Sequence, residues 1–199
     1  MKVSKLASYS QKVLEAVHLA SKSIMEIYNS DKLNFESKSD GSPVTLADKT
    51  SHEMLSLHLE AFGKIPILSE EGDNLKDDID LFWLIDPLDG TKEFINRNGE
   101  FTVNVALIRE GVPILGVVAA PAIDETYIGF SDNAYKIVNG QKMSISSQEQ
   151  DKKSCAITLS KSHKSDADKV FVNLCREEFG EVKELPVGSS LKLCRVAEG

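Results

Sequence analysis

The sequence predicts an α/β fold, built as α+β layers, in which helices pack on a mostly antiparallel sheet. Two segments, at about 6–27 and 46–62, have apolar residues at three- and four-residue steps, which predicts amphipathic helices. Short runs rich in β-branched and aromatic residues follow, and the last three alternate like an antiparallel meander. The predicted strands cover 65–68, 81–85, 101–108, 114–119 and 125–130.

A polar segment at 144–153 is the best candidate for a boundary between two domains. We predict an N-terminal α+β domain at 1–145, which carries the metal and phosphate site, and the start of an incomplete C-terminal α/β domain at 154–199. The second domain is predicted to run strand, helix, strand, helix, at 156–160, 166–179, 184–187 and from Leu191 onward. Between the first two helices, 29–42 reads as a loop or loose hairpin that carries Lys38 and Asp40.

The composition excludes several classes of protein. With 41% hydrophobic and 27% charged residues, the chain is ordinary for a soluble globular protein. A net charge of −8 without a basic stripe argues against nucleic acid as a partner, but not against a small phosphorylated substrate. The longest apolar stretch, 114–122, is too short to span a membrane and contains Pro121, so we expect no stable membrane insertion. Three scattered cysteines and the lack of a signal peptide indicate a reduced, cytoplasmic protein.

An acidic motif follows the most apolar predicted strand, 81–85. We predict that this strand ends at Asp86, because Pro87 cannot donate a hydrogen bond to a sheet. Asp86 and Asp89 would then face the same small volume, next to a helical turn beginning at Gly90 whose N–H groups can hold an anion. Asp-Pro and Asp-Gly pairs are also ordinary turn signals, so a simple exit from the sheet is the alternative.

A second acidic pair makes the turn alternative insufficient. Glu70 and Glu71 come directly after the predicted strand 65–68, so two neighbouring strands both end in acids. Open α/β sheets bind ligands at such an edge. Clustered carboxylates repel one another, and a hard divalent cation such as Mg²⁺, which prefers oxygen ligands and bridges to phosphates, resolves the repulsion.

These segments resemble the inositol monophosphatase superfamily. The aspartate signature at 83–91 marks the superfamily, while Lys92-Glu93-Phe94-Ile95 and Asn98-Gly99-Glu100-Phe101 resemble its 3'(2'),5'-bisphosphate nucleotidase branch, of the CysQ type. The resemblance covers the whole chain. It implies a layered αβαβα sandwich of which the C-terminal part, including one further aspartate ligand, is missing from these 199 residues.

The resemblance also implies roles for individual residues. One metal ion would be held by Glu70, Asp86 and the Leu88 carbonyl, and a second by Asp86, Asp89 and the missing aspartate. Glu70 and an Asp48–Thr91 pair would be catalytic and position the attacking water, although Asp48 lies where a helix-capping carboxylate is also expected. Glu71 would help to orient the side chains that bind the metal.

Substrate contacts implied by the resemblance lie in two places. The N–H groups of Gly90 and Thr91 would hold phosphate oxygens, and the strand–helix join at 188–190 would contact the nucleotide, unless it is only a serine-capped join. Glu100 and Asn104 resemble pocket residues, or they simply face water. The implied substrate-binding residues are Glu70, Leu88, Asp89, Gly90, Thr91, Gly188 and Ser189.

The activity implied is magnesium-dependent, lithium-sensitive hydrolysis of the 3'-phosphate of 3'-phosphoadenosine 5'-phosphate, which gives AMP and phosphate. An inositol or other sugar-phosphate phosphatase on the same scaffold is one alternative. The other is an inactive metal- or phosphate-binding form, favoured by the missing C-terminal part. We expect two or more Mg²⁺ sites in a complete enzyme and a bacterial cytoplasmic location, with membrane-peripheral association and oligomeric state left open.

Overall fold

The computed structural model describes residues 1–30, 35–37, 43–72, 79–147, 154–162 and 165–199. Lys38, Asp40 and most of the predicted boundary lie outside the described residues. Across the described residues the helices are α1 (Val3–Tyr28), α2 (Leu46–Glu60), α3 (Thr91–Ile95), α4 (Asp166–Phe179) and α5 (Leu191–Ala197), with a 3-10 turn at Pro121–Ile123. The strands are β1 (Phe35–Ser37), β2 (Pro43–Thr45), β3 (Ile67–Ser69), β4 (Leu81–Asp89), β5 (Thr102–Arg109), β6 (Val112–Ala120), β7 (Glu125–Phe130), β8 (Asn133–Val138), β9 (Gln141–Ser144), β10 (Ser154–Ser160) and β11 (Glu181–Val187).

The large sheet has the strand order β3-β4-β5-β6-β7-β8-β9. Only the β3–β4 pair is parallel within it, which confirms the predicted mostly antiparallel sheet. The predicted meander is present, but it continues through β8 and β9, which were not predicted. All four residues of β9 are exposed, so this strand has no apolar face that hydrophobic alternation could reveal.

The prediction that the strand ends at Asp86 is wrong, because β4 continues through Pro87 to Asp89. Asp86 pairs with Asn104 and Asp89 with Thr102, and the register shifts between these two pairs. Pro87 lies within the irregular segment, where the ladder does not require its missing N–H. The buried Ser51 hydroxyl of α2 donates to the Pro87 carbonyl at 2.7 Å. The irregularity replaces the predicted strand end and keeps both aspartates on the sheet.

The main core lies between the large sheet and the α1–α2 layer. A second, smaller cluster contains Ala120, Tyr127, Leu191 and Cys194, and joins the opposite face of the sheet to α5. Ala119 belongs to the main core while its neighbour Ala120 belongs to the second cluster, as the two-residue period of a strand requires. The large sheet is therefore covered by helices on both faces.

A small parallel sheet of β10 and β11 completes the layers, with Ser160 opposite Val187. Val187 packs with the α5 cluster, whereas Glu184 and Pro186, on the other face of β11, line a cavity with α4. The layers therefore run α1–α2, large sheet, α5, small sheet, α4, which is the αβαβα order that was predicted. The division into two domains stays a prediction. Among the helices that the structure describes, none combines the length and the apolar character needed to cross a membrane.

Three aromatic rings fix α3 to the rest of the core. Phe94 and Phe101 are fully buried, with ring centroids 5.0 Å apart in an edge-to-face arrangement. Tyr28, at the end of α1, lies 5.2 Å from Phe94 and 4.9 Å from Phe101. Since α3 has only five residues, this packing holds it in place better than its own hydrogen bonds can.

Phe94→Ala is expected to lower the free energy of unfolding by about 3–5 kcal/mol, because it removes a fully buried ring and leaves a cavity. Urea unfolding followed by far-UV circular dichroism measures the change. Phe171→Ala on α4 is the matched control, since that ring is 54% exposed. Equal losses for the two variants would contradict the assignment of Phe94 to the core.

A charged cluster joins α5 to strands β7 and β8. Lys136 lies 2.9 Å from Glu125 and 2.8 Å from Glu198, and Arg195 lies 2.9 and 2.7 Å from the same two carboxylates. The Tyr127 hydroxyl donates to Glu125 at 2.8 Å. Burial acts to raise the pKa of Glu125, but the hydrogen bonds from Lys136 and Tyr127 and the charge of Arg195 outweigh it and lower the pKa.

Glu125→Gln is expected to destabilise the protein near neutral pH and to have a smaller effect in acid. The folded-state pKa of Glu125 is below its ordinary value of 4.5, so its contribution is fully present above that pH and is lost as the pH falls through the lowered value. Urea unfolding on both sides of this window measures the difference. Glu110→Gln, which removes an exposed carboxylate beside Arg109, is the control. A loss for Glu125→Gln that is the same at both pH values would contradict the linkage.

Candidate active site

The parallel pairing of β3 with β4 brings two acidic segments together. Ser69 lies opposite Ile85, and the Glu70 N–H donates to the Ile85 carbonyl at 3.3 Å. Glu70 therefore leaves β3 beside Asp86 of β4. We call the carboxylates of Glu70, Asp86 and Asp89, with the Leu88 carbonyl, the acidic edge.

The surroundings of Asp86 in the acidic edge disfavour its charged form. Burial, the charges of Asp89 and Glu70, and a hydrogen bond with Glu70 raise the pKa of Asp86 to about 8. The N–H of Leu88 donates to Asp86 Oδ1 at 3.2 Å and opposes this shift only in part. The arrangement disfavours three simultaneous negative charges, and a cation among them would relieve the repulsion.

Asp48 performs a capping role and also contacts Thr91. Its Oδ2 accepts hydrogen bonds from the N–H and the hydroxyl of Thr45, both at 2.7 Å, in a capping box at the start of α2. Its Oδ1 accepts from the Thr91 hydroxyl at 3.3 Å, a hydroxyl that is equally far from the Leu88 carbonyl. Burial and, to a smaller extent, the charge of Glu71 raise the pKa of Asp48 against the lowering effect of Thr45. The structure thus places Asp48, Thr91 and Glu71 together at one side of the acidic edge.

Gly90 allows the chain to turn sharply between β4 and α3. Its φ of +88° is in the left-handed region that favours glycine. A Cβ at this position would lie 3.1 Å from the Ser189 side chain and 3.2 Å from the Glu100 carbonyl. The Gly90 backbone therefore lies close to Ser189 and to the Glu100 carbonyl, and a side chain at position 90 would prevent this close approach.

Residues 188–190 form a turn between β11 and α5, which we call the 188–190 turn. The Ser190 N–H donates to Asp89 Oδ2 at 2.5 Å, and the Ser190 hydroxyl lies 2.9 Å from Asn104 Oδ1 and 2.8 Å from the Thr102 hydroxyl. The predicted substrate residues Gly188 and Ser189 are also in this turn. Ser189 is buried and its hydroxyl accepts from Leu191 N–H, while Ser190, the N-cap of α5, makes no side-chain capping bond.

Sequence reasoning missed how three residues support the acidic edge. Ser190 was predicted only as part of the 188–190 join, and its bond to Asp89, 101 residues away in the chain, was not predicted. Ser51, which holds the Pro87 carbonyl, looked like an ordinary helix residue. His52 of α2, which the sequence predicts to lie at the helix surface or to be partly packed, is partly buried, and its Nδ1 lies 2.8 Å from the Ser69 hydroxyl, which in turn accepts from Glu71 N–H. A hydroxyl pointing into a sheet edge leaves no signal in the sequence.

The acidic edge fits a hard cation in its chemistry. Its donors are all carboxylate or carbonyl oxygens, the ligands that Mg²⁺ prefers, and burial with the charges of Asp89 and Glu70 raises the pKa of Asp86. Within the described residues, no three His, Cys, Asp or Glu side chains are arranged as ligands of one ion. Asp89 is turned toward Ser190 and Asp86 toward Glu70, so hydrogen bonds hold oxygens that a cation would use.

Comparison with known proteins identifies the class. The model of the inositol monophosphatase family matches residues 6–199. The chain therefore belongs to the inositol monophosphatase family. Within that family it is similar to the 3'(2'),5'-bisphosphate nucleotidase CysQ of Escherichia coli strain K12, with 41% identity over 192 residues that cover 94% of this chain and 76% of the relative. The CysQ of Buchnera aphidicola is 39% identical over 194 residues, covering 94% of this chain and 71% of that protein.

Solved structures agree with the family. The crystal structure of CysQ from Bacteroides thetaiotaomicron, a bacterial member of the inositol monophosphatase family, matches with a TM-score of 0.83 and 34% identity, covering 96% of this chain and 77% of that one. An IMPase/NADP phosphatase complexed with Mg²⁺ and phosphate shares the fold, with a TM-score of 0.78 at 21% identity, over 98% of this chain and 73% of that one. The chain spans about three quarters of the length of these relatives.

Gly188→Ala is expected to lower the free energy of unfolding by about 1–3 kcal/mol, because the new Cβ would lie 2.7 Å from Glu93 Cγ and 2.9 Å from the Glu100 carbonyl. Urea unfolding measures the loss. Gly116→Ala is the control, since a Cβ there has no neighbour within 4 Å. Equal losses in the free energy of unfolding for the two variants would contradict the close contact of Gly188 with Glu93 and Glu100.

Proposed function

We propose that this chain is a magnesium-dependent phosphomonoesterase that removes the 3'-phosphate of 3'-phosphoadenosine 5'-phosphate, giving AMP and phosphate. The observation that carries the proposal is the acidic edge, in which the parallel register of β3 and β4 places Glu70 beside Asp86. The 41% identity to a 3'(2'),5'-bisphosphate nucleotidase supports the choice of substrate within the family.

The acidic edge would hold the metal. Glu70, Asp86 and the Leu88 carbonyl would bind one Mg²⁺, and Asp86 with Asp89 would contribute to a second in a complete enzyme. When bound, Mg²⁺ supplies charge stabilisation for the phosphoryl group and lowers the pKa of a bound water. Burial and the charges of Asp89 and Glu70 together raise the pKa of Asp86, and a cation at this place would stabilise the charged form against both effects.

The residues of the chain would orient the reactants. Thr91, held by Asp48 Oδ1, would position the attacking water together with Glu70, while Glu71 adds negative charge behind this pair. Asp48 can serve because its second oxygen is fixed by both groups of Thr45, so the carboxylate cannot rotate freely. The turn at Gly90 and Thr91 would offer backbone N–H groups to the phosphate oxygens.

Gly188 and Ser189 would contact the nucleotide. Their turn is joined to the acidic edge by the Ser190–Asp89 bond, so the two halves of the proposed site are adjacent. We place the protein in the cytoplasm and expect lithium to inhibit it by competing for the acidic edge. Phosphatase activity on inositol phosphates or other sugar phosphates remains the alternative on the same scaffold.

The decisive experiment is phosphate release from 3'-phosphoadenosine 5'-phosphate with and without Mg²⁺. Release that depends on Mg²⁺ is expected, and Asp86→Asn should lower kcat/KM by at least about 100-fold, because it removes the carboxylate shared by both proposed ions. Asp132→Asn, which alters an exposed carboxylate between β7 and β8, is the matched control and should leave the rate unchanged.

A panel with inositol 1-phosphate and fructose 1,6-bisphosphate separates the alternatives. A higher kcat/KM on either of these than on the nucleotide would replace the proposed substrate. If no compound in the panel releases phosphate while titration calorimetry still detects Mg²⁺ binding that Asp86→Asn abolishes, the chain is a metal-binding form without turnover, and the proposal of a phosphatase fails.

A further inference from the structure

Two carboxylates outside the acidic edge hold the loops of the small sheet. Glu100 precedes β5, and its Oε2 accepts from the Gly188 N–H at 2.9 Å. Its Oε1 pairs with Lys161, which follows β10, at 3.0 Å. Each oxygen of this one side chain therefore contacts a different loop. The Glu100 side chain is only 23% exposed, whereas an ordinary surface pair is more open.

Glu93 of α3 makes the second set of contacts. It is 5% exposed, an unusual position for a carboxylate, and it accepts a hydrogen bond from the hydroxyl of Ser162, which also follows β10. Its Cγ is so close to Gly188 that a Cβ there would lie 2.7 Å away. Glu93 thus reaches the same two loops as Glu100.

The topology explains why both loops lie within reach. β10 and β11 are parallel and in register from Ser154–Glu181 to Ser160–Val187, so the segments after both strands leave the small sheet at the same edge. Across from this edge lies the acidic edge, to which the Ser190–Asp89 bond connects it. The carboxyl ends of the parallel β3–β4 pair and of the small sheet therefore lie next to each other.

We propose that Glu100, with Glu93 packed beside it, is a positioning residue that sets the distance between the 188–190 turn and the acidic edge. This inference rests on the proposed function and deepens it. A phosphorylated nucleotide bound at both edges needs this distance fixed, since a turn that must become ordered on binding lowers the affinity for the nucleotide. Neither carboxylate is assigned a contact with the reacting atoms.

The first readout is amide hydrogen exchange, which needs no activity. Glu100→Ala removes the acceptor of the Gly188 N–H, so exchange of the Gly188 amide is expected to accelerate by at least about tenfold, with the amides of β6 and β7 unchanged. Glu100→Gln keeps a carbonyl acceptor and should restore most of the protection. The control is Glu184→Ala on β11, which breaks an exposed ion pair with Arg176 of α4. It should leave the exchange rate of the Gly188 amide unchanged.

The second readout is the division between KM and kcat for the nucleotide. In Glu100→Ala, KM is expected to rise about tenfold with kcat changed less than about threefold, because the acidic edge is intact while the turn that contacts the nucleotide is displaced. Glu100→Gln should recover most of the lost affinity. Glu93→Gln is expected to act in the same direction as Glu100→Ala, since it weakens the acceptor of Ser162.

The inference and the proposed function can fail separately. Unchanged exchange of the Gly188 amide in Glu100→Ala overturns the inference, whether or not the chain turns over. Faster exchange with an unchanged KM also overturns it, because the turn would then be held without positioning substrate. A chain that exchanges as expected but releases no phosphate from any substrate refutes the proposed function while leaving the anchoring of the turn supported.

Discussion

Mutual repulsion among the carboxylates of the acidic edge is the constraint on which the rest of the structure depends. Like charges close together in a half-buried place are costly, and burial together with the charges of Asp89 and Glu70 raises the pKa of Asp86 to about 8. The parallel register of β3 and β4 and the irregular end of β4 bring these side chains together. Such strain persists only where the surroundings over-determine it.

The surrounding residues can be understood as donors that limit this repulsion. The N–H groups of Leu88 and Ser190 bind Asp86 and Asp89, and the N–H and hydroxyl of Thr45 bind Asp48. Thr45 and Leu88 lie two or three residues from the aspartates that they bind, whereas Ser190 belongs to the turn before α5, 101 residues after Asp89. The fold and the site are therefore linked, because the hydrogen bond that joins the 188–190 turn to the large sheet also holds Asp89.

The layered fold and the position of the acidic edge could be predicted because both have local signals. Apolar periodicity marked α1 and α2, and acids directly after two apolar runs marked the sheet edge. What the patterns missed depends on contacts between distant residues, such as Ser190 with Asp89 and Ser51 with the Pro87 carbonyl. The strand end at Pro87 was predicted wrongly, because a proline rule that holds for a regular ladder does not hold where the register shifts. β8 and β9 did have a local signal in the Asn139-Gly140 pair, whose positive φ angles form their tight turn, but it was not used.

The outer strands of the large sheet are shorter than the inner ones, which affects how readily the protein aggregates in concentrated solution. The outermost strands, β3 and β9, have three and four residues, while every strand between them has six or more. β9 is exposed throughout, and its Lys142 lies over the ring of Tyr135 at 3.5 Å. Terminal strands as short as β3 and β9 offer little backbone for another chain to pair with, and the lysine of β9 further opposes such pairing. A seven-stranded sheet can therefore remain dispersed in a crowded cell without recruiting its neighbours into aggregates.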